Sequence, residues 1–139
     1  MIQSEALANI ASSQSAPIQQ HEARPWGGWT VLAEAPGFRV KLIEVQPSHR
    51  LSLHYHYHRS EHWVVVAGKA RVVIGEKRYD MHLMQSVLIP ARTIHRIENP
   101  YSEPLQIVEV QRGDRLDEED IVRLEDDYQH IHLVRGFKP

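Results

Sequence analysis

Residues that end strands recur at short intervals along this chain, and they limit how long any regular element can be. Breaks fall at Pro36-Gly37, Gly75-Glu76 and Asn99-Pro100, among other places, because Gly, Pro and Asn supply turn geometry that a continuing strand does not tolerate. Between the breaks, no segment longer than about ten residues has the 3.6-residue apolar stripe of a helix. The chain is therefore predicted to be all-β.

The segments between the breaks have the composition of strands. They are rich in Val, Ile and Leu, which favour pleated sheets, and they read 29–34, 38–45, 50–57, 62–67, 70–74, 86–89, 95–98 and 105–110. Short strands separated by turns are typical of a sandwich or a barrel. The acidic stretch 117–127 is interpreted as a solvated face, and it is the one segment in which we expect a helical turn.

The first twenty residues differ in composition from the rest of the chain. They are rich in Ala, Ser and Gln and carry one acidic residue, so they offer little apolar periodicity to anchor a core. We predict an N-terminal arm over residues 1–22 and a single domain over residues 23–139. A homodimer is also expected, because exposed sheet edges in small β domains are often covered by a partner's strand or arm.

Charge and hydropathy exclude several classes of partner. The formal net charge is −2, which offers no large positive field for the phosphate backbone of a nucleic acid. No run of eighteen apolar residues is present to span a bilayer, and no basic region followed by an apolar stretch marks a secretory signal. We therefore expect a cytoplasmic protein that binds neither nucleic acid nor membranes.

Histidines are concentrated in one part of the sequence. Every second residue from His54 to His58 is a histidine, and alternate residues of a strand share one face. We therefore expect His54, His56 and His58 to face the same way. Two imidazoles one strand step apart, roughly 6.5–7 Å between their Cα atoms, can bracket one ion at metal–nitrogen distances of about 2.1 Å.

Two further residues complete a candidate metal site. Glu61 precedes a very apolar strand, where a carboxylate costs desolvation unless a positive charge meets it. His95 follows a turn that begins at Pro90. Because the chain has no cysteine, its metal ligands must be imidazoles or oxygens. We predict that His54, His56, Glu61 and His95 bind one divalent metal ion; the alternative is that these histidines decorate a solvated face.

These residues resemble the two sequence motifs of the cupins, G-x5-H-x-H-x(3,4)-E-x6-G and G-x5-P-x-G-x2-H-x3-N. The first motif fits from Ser48 to Gly68, with Ser48 in place of its first glycine. The second fits from Met84 to Asn99, with Met84 and Arg92 in place of its two glycines. The resemblance implies the cupin double-stranded β-helix, a jelly-roll barrel, with a metal ion at the four ligand positions.

Within the cupins, the chain from Arg24 to about Tyr128 is similar to the C-terminal domain of type II phosphomannose isomerases. The similarity rests on segments 24–27, 56–65, 89–91, 95–100, 108–111 and 119–128. That family interconverts mannose 6-phosphate and fructose 6-phosphate, so the resemblance implies a metal-dependent sugar-phosphate isomerase. The glycine-rich phosphate loop of the guanylyltransferase to which such domains are usually fused is missing here, so we expect a stand-alone isomerase.

The resemblance also bears on the metal and on catalysis. This chain has His54 where the family usually has Gln, and the added imidazole suits Zn, Mn, Fe or Ni better than Mg. Arg59 resembles the family's catalytic arginine, and a guanidinium suits a sugar phosphate or an enediolate; pairing with a carboxylate is the alternative role. His58 or Lys41 could be the general base that moves the proton between the sugar carbons.

Two other functions remain open at this stage. Three histidines and one glutamate would leave positions for oxygen and substrate on Fe or Mn, as a cupin dioxygenase needs. A non-enzymatic module would instead use the pocket to bind a metal and a sugar or a small carboxylate, because a fold does not determine a function. A small-molecule ligand is expected in each case, and a sugar phosphate if the chain is an isomerase.

Overall fold

The computed structural model describes residues 20–128, and within them the chain forms twelve strands and no helix. The strands are β1 (Gln20–Arg24), β2 (Gly27–Ala35), β3 (Phe38–Val45), β4 (His49–Arg50), β5 (Leu53–Tyr55), β6 (Arg59–Ala67), β7 (Ala70–Ile74), β8 (Lys77–Met81), β9 (Ser86–Ile89), β10 (His95–Asn99), β11 (Leu105–Gly113) and β12 (Val122–Glu125). The all-β prediction is confirmed. The helical turn predicted within 117–127 is wrong, because β12 pairs with β5 there.

Two antiparallel sheets face each other across one core. The first has the strand order β1-β2-β3-β11-β6-β9, and the second has the order β12-β5-β10-β7-β8, with β4 also pairing with β10. Strands that follow one another in sequence, such as β5, β6 and β7, lie in alternate sheets. The chain therefore crosses repeatedly between the two layers.

The core lies between the inner faces of the two sheets. Inward and outward positions alternate along β3, β6 and β11, as they must when one face of a strand is buried. The strand registers align the inward residues in four rows, Val45–Leu105, Ile43–Ile107–Val65, Lys41–Glu109–Trp63 and Arg39–Gln111–Glu61. The first two rows are apolar, and the last two carry the polar residues that form the site described below.

The strands that the sequence did not predict have little apolar alternation. Four of the five residues of β8, an edge strand, are exposed, and β1 at the edge of the other sheet is mostly exposed as well. The predicted strand 50–57 is divided between β4 and β5. Periodicity therefore identified most of the strands that face the core, together with the edge strand β9, and missed the edge strands β1, β8 and β12.

The predicted N-terminal arm lies mostly outside the described residues, which begin at Gln20. Residues 20–22 belong to β1, which pairs with β2. The arm, the single domain over 23–139 and the homodimer stay predictions. Among residues 20–128 there is no helix of the length and apolarity that a membrane crossing requires.

Candidate metal centre

Three strands bring the predicted ligands to the polar end of the core. His54 lies in β5 and His56 follows that strand, Glu61 lies in β6, and His95 begins β10. β5 and β10 pair with His54 directly opposite His95. Residues opposite each other in an antiparallel pair have Cβ atoms about 4.5–5.5 Å apart, so these two imidazoles reach the same region.

The three histidines form one buried cluster. His54 is 8% exposed, and His56 and His95 are each 2% exposed. The ring centroids are 4.5 Å apart for His54 and His95, 4.9 Å for His54 and His56, and 5.2 Å for His56 and His95. One ring nitrogen of each lies within 4.8 Å of the other two. The three histidines can therefore form a metal site.

Backbone carbonyls determine which ring nitrogen carries the hydrogen. Nδ1 of His54 and Nδ1 of His95 lie 2.9 Å and 2.8 Å from the carbonyl oxygen two residues earlier. Nδ1 of His56 lies 2.5 Å from the carbonyl oxygen of Asp120. Because a carbonyl only accepts hydrogen bonds, each Nδ1 is the donor and each Nε2 keeps its lone pair.

The Nε2 atoms fit a transition-metal ion, and that of His56 also lies 3.2 Å from Nη2 of Arg59. Nε2 of His95 is buried and has no hydrogen-bond partner among the described residues, which is costly for a polar atom unless a ligand satisfies it. Imidazoles whose second nitrogen donates to a carbonyl are the usual arrangement of metal-binding histidines. The donor set, three nitrogens and a neighbouring carboxylate, suits a divalent transition metal.

Glu61 supplies the carboxylate, and it is 2% exposed. Its Oε1 lies 3.3 Å from Nε2 of His95, and its Oε2 lies 3.2 Å from Nε2 of His56. Nε of Arg59 donates to Oε2 at 2.9 Å. Burial would raise the pKa of Glu61, but the two imidazoles and the charge of Arg59 hold it well below its usual range. Glu61 is therefore ionised at neutral pH.

Burial and charge act differently on the histidines. Burial, together with the neighbouring His95 and His56, lowers the pKa of His54 well below its usual range. Burial would also lower the pKa of His95, but contact with Glu61 raises it above the usual value. Since only the neutral imidazole binds a metal, an ion must displace protons from this cluster, and its affinity should fall as the pH falls.

A cavity of about 80 Å³ adjoins the cluster. Besides the four candidate ligands, its walls include Trp29, Lys41, Arg59, Trp63, Glu109 and Glu118. Glu109 accepts hydrogen bonds from Nε1 of Trp63 at 3.0 Å and from Nε2 of Gln111 at 2.7 Å. Burial and the nearby charge of Glu61 raise the pKa of Glu109 to about 7. The wall of the cavity thus contains a buried acid that titrates near neutral pH.

The segment between β11 and β12, residues 114–121, forms a strap along the rim of this cavity. Asp120 anchors it, because its carboxylate accepts hydrogen bonds from the backbone N–H of Tyr57 at 3.0 Å and of His58 at 2.9 Å, while its carbonyl holds His56. Burial would raise the pKa of Asp120, but these two N–H groups lower it. The strap therefore positions a candidate metal ligand.

Lys41 and Glu118 meet at the other side of the cavity. Nζ of Lys41 donates to Oε2 of Glu118 at 2.6 Å and lies 3.7 Å from the ring centroid of Trp29. Lys41 is 3% exposed, whereas the side chain of Glu118, carried by the strap, is 44% exposed. Lys41 is therefore the cation of a short ion pair in this structure, and its role as a candidate general base stays a prediction.

The structure brings most of the predicted site residues together, but not His58. The four predicted ligands surround one point, and Arg59 and Lys41 line the same cavity. The side chain of His58 is 46% exposed, and its Nδ1 lies 3.9 Å from Asp114. β5 ends at Tyr55, so the alternation that would turn His58 inward stops before it. The expectation that His58 faces the same way as His54 and His56 is wrong, and its role as the general base stays a prediction.

Three residues of the site were not singled out from the sequence. Glu109 occupies an inward position of β11, on the same face as the buried Leu105 and Ile107, and a charge at such a position was a usable signal. Asp120 and Glu118 lie in the acidic stretch that was interpreted as a solvated face. No local pattern distinguishes them from the exposed acids around them.

Comparisons with known proteins identify a family and several relatives that are similar to this chain. Residues 12–126 match the family described as mannose-6-phosphate isomerase C-terminal. The chain is 48% identical over 105 residues to the alginate biosynthesis protein AlgA of Pseudomonas aeruginosa, a match that covers 76% of this chain and 22% of that protein. It is 45% identical over 104 residues to a mannose-1-phosphate guanylyltransferase of Sinorhizobium fredii, a match that covers 75% of this chain and 20% of that protein. It therefore spans about a fifth of the length of these relatives.

Solved structures share the fold at low sequence identity. The capsular polysaccharide assembling protein CapF of Staphylococcus aureus matches with a TM-score of 0.65 and 19% identity over 77% of this chain and 34% of that one. The S161A mutant of Bacillus subtilis oxalate decarboxylase matches with a TM-score of 0.66 and 21% identity over 76% and 30%. A Klebsiella pneumoniae protein with a double-stranded β-helix domain matches with a TM-score of 0.62 and 19% identity over 81% of this chain and 90% of that one. The predicted double-stranded β-helix, the cupin fold, is confirmed.

The relatives contradict the predicted activity. We expected a stand-alone sugar-phosphate isomerase, which is an intramolecular oxidoreductase, but relatives of 42–45% identity are named mannose-1-phosphate guanylyltransferases, which are transferases. The predicted activity was carried over from the resemblance to the isomerase family, and neither a shared fold nor a shared set of candidate metal ligands determines a reaction.

Proposed function

The chain belongs to the mannose-6-phosphate isomerase C-terminal family, and we propose that it is a cupin domain that holds one divalent transition-metal ion and binds a phosphorylated sugar beside it. His54, His56, His95 and Glu61 are the proposed ligands of the ion. The observation that carries this proposal is the set of three Nε2 atoms whose partner nitrogens are already bound to carbonyl oxygens.

The chemistry of the donors narrows the choice of ion. Three imidazoles and one carboxylate favour Zn, Mn, Fe or Ni over Mg, which prefers oxygen ligands. Such an ion would act as a Lewis acid that polarises an oxygen of the bound sugar. The site residues themselves exclude water, since all four proposed ligands are at least nine-tenths buried.

A phosphorylated sugar is supported by the cations beside the cluster. Arg59 is 5% exposed and Lys41 is 3% exposed, and both line the cavity. A guanidinium and an ammonium bind phosphate oxygens through charge-assisted hydrogen bonds. Two related proteins carry mannose 1-phosphate in their names, and we propose the same class of ligand for this chain. Trp29 adds an aromatic surface at the cavity wall.

Metal titration tests the metal centre. We expect the purified protein to bind about one equivalent of Zn²⁺ or Mn²⁺ in equilibrium dialysis with elemental analysis, and His56→Ala to lower the affinity at least about 100-fold while far-ultraviolet circular dichroism stays unchanged. His58→Ala is the matched control, because His58 is a neighbouring histidine outside the cavity. Equal metal content in the two variants would remove His56 from the ligand set.

Calorimetry tests the ligand. We expect the metal-loaded protein to bind mannose 1-phosphate or mannose 6-phosphate more tightly than mannose, because only the phosphorylated sugars reach the cations. Equal affinity for mannose and its phosphates would contradict a phosphorylated ligand. A cytoplasmic location and a homodimer belong to the same proposal.

A further inference from the structure

The ion pair between Lys41 and Glu118 joins a buried cation to a surface side chain. Lys41 projects from β3 into the cavity wall, where Trp29 covers its ammonium group. Its carboxylate partner comes from the strap rather than from the barrel. An interior cation is thus neutralised by a group that solvent reaches.

Other cations converge on the same carboxylate. Nη1 of Arg39 lies 3.4 Å from the Glu118 oxygen that Lys41 contacts, and the charge of Arg59 also interacts with Glu118. A single carboxylate oxygen therefore sits among two direct cationic contacts and a third cation nearby. Clusters of Arg and Lys around one anionic oxygen are the donor sets that bind phosphate.

The size of the cavity indicates that something must move before a sugar phosphate enters. Its volume is about 80 Å³, whereas clefts that bind small molecules enclose roughly 300–1,000 Å³. Glu118 and Ile121 of the strap are among the residues that line it. Displacing the Glu118 side chain would widen the cavity at its cationic wall.

We propose that the Glu118 carboxylate occupies the position of a ligand's phosphate group, and that a phosphomonoester displaces it from Lys41 and Arg39. This inference rests on the proposed function, because it assigns the phosphate of the proposed ligand to a place in the cavity. The strap thereby becomes an internal competitor that sets the affinity for phosphorylated ligands.

The anchoring of the strap allows this exchange without disturbing the metal centre. Asp120, two residues after Glu118, is 3% exposed and accepts the backbone hydrogen bonds of residues 57 and 58. It also holds His56 through its carbonyl oxygen. Glu118 can leave Lys41 by rotation of its own side chain, so Asp120 keeps His56 in place.

Binding of inorganic phosphate to the metal-free protein tests the exchange. A carboxylate tethered next to its partner competes at a high effective concentration, so we expect Glu118→Gln to bind phosphate on the order of 10-fold more tightly than the unchanged protein. The measurement is an NMR or calorimetric titration at constant ionic strength. Glu34→Gln is the matched control, because Glu34 pairs with Arg39 and not with Lys41, and we expect it to change the affinity less than twofold.

A double variant tests whether the gain in phosphate affinity depends on Lys41. We expect Lys41→Met combined with Glu118→Gln to lose the gain in phosphate affinity, while Met preserves the packing on Trp29. Hydrogen exchange supplies a second readout in the unchanged protein, since side-chain rotation of Glu118 should leave the amides of residues 57 and 58 protected at saturating phosphate. Unchanged affinity in Glu118→Gln, or a gain that survives the loss of Lys41, would overturn the exchange.

The design separates this inference from the proposed metal site. Metal content is measured on the same variants, and we expect Glu118→Gln to hold as much metal as the unchanged protein. If no form of the protein binds metal, the proposed function fails, yet phosphate affinity in the metal-free variants still decides whether Glu118 competes. If metal binds and Glu118→Gln leaves phosphate affinity unaltered, only the competition by Glu118 is rejected.

Discussion

The same three strands build two different halves of the barrel interior. At one end β3, β11 and β6 turn aliphatic side chains inward; this apolar half comprises Ile43, Val45, Val65, Leu105 and Ile107. At the other end the same strands turn polar side chains inward; this polar half comprises Lys41, Glu61, Trp63, Glu109 and Gln111. Inward and outward positions alternate in both halves, apart from one register shift between β11 and β6 at Gln106/Ile107, so the difference lies mainly in the side chains.

The two halves contribute differently to the molecule. Aliphatic side chains need no specific partner, and their burial stabilises the fold roughly in proportion to the area removed from water. Buried charges are weak evidence for stability, because desolvation offsets most of their attraction. The polar half therefore contributes little net stability, and the apolar half supplies most of it.

The largest expected effect comes from truncating the apolar half. Ile107 is 0% exposed, and Ile107→Ala should lower the free energy of unfolding by about 3 kcal/mol through lost burial and a residual cavity. Chemical denaturation of the metal-free protein measures it, with Val108→Ala as the control that points away from the core. We expect the stoichiometry of metal binding to stay the same. A loss of metal in the still-folded Ile107→Ala protein would show that the two halves are not separable.

The next effect is a dependence of stability on pH that originates in the polar half. The pKa of Glu109 rises from its ordinary value to about 7 in the folded protein, so between pH 4.5 and 7 the folded state holds a proton that the unfolded state has released. The stabilisation from this group is complete below its unfolded pKa and is lost as the pH rises through about 7.

Replacement of Glu109 isolates that contribution. In Glu109→Gln the loss of stability between pH 5 and pH 8 should be smaller than in the unchanged protein by an amount on the order of 2 kcal/mol. Denaturation of both metal-free proteins at several pH values gives the difference. Parallel pH profiles would mean that the charge of Glu109 is compensated within the polar half.

A smaller effect is expected at the anchor of the strap. Asp120→Asn keeps one acceptor but turns an amide toward the N–H of Tyr57 or His58, which should cost about 1 kcal/mol of stability. Because Asp120 also holds His56, metal affinity should fall at least about tenfold, as for other groups that orient metal ligands. Glu119→Gln is the exposed control on the strap. If Asp120→Asn has the same metal affinity as Glu119→Gln, the carbonyl oxygen of residue 120 keeps its position without the carboxylate.

Prediction from the sequence was most successful where a turn residue bounds a strand. The predicted strands 38–45, 70–74 and 86–89 have the observed bounds, since Gly37, Gly75 and Pro90 stand directly next to them. The four residues predicted to bind a metal lie in two short motifs, and the structure places all four at one cavity; that they bind an ion stays a prediction. Local patterns carry both kinds of information.

Sequence reasoning failed where a contact joins distant parts of the chain. His58 continues the alternation of His54 and His56, yet Asp120 accepts the N–H groups of residues 57 and 58 and bends the chain there. Asp120 is more than sixty residues away, so no local pattern predicts the bend. The predicted activity was wrong for a different reason: it was carried over from the resemblance to one family, and a shared fold does not determine a reaction.

Backbone strain is distributed over both halves at the positions where the cupin motifs have glycine. Ser48, Met84 and Arg92 have φ angles of 64°, 66° and 66°, a region that costs residues with a Cβ about 1–2 kcal/mol. Gly68, the motif glycine that is retained, differs from them because a Cβ there would lie 2.4 Å from the carbonyl oxygen of Pro104. Steric contact thus requires glycine at one position, and only the φ angle favours it at the other three.

The smallest predicted effect follows from that strain and tests whether it is local. Met84→Gly and Arg92→Gly should each raise the free energy of unfolding by about 0.5 kcal/mol, because relief of the positive φ exceeds the entropy that glycine adds to the unfolded chain. The N–H of Met84 bonds Val65 in the apolar half, and that of Arg92 bonds His56 in the polar half. Equal increases in the stability of the two variants, measured by thermal denaturation, would show that the strain is local to each turn. A lower free energy of unfolding in Arg92→Gly alone would mean that the polar half depends on the side chain of Arg92.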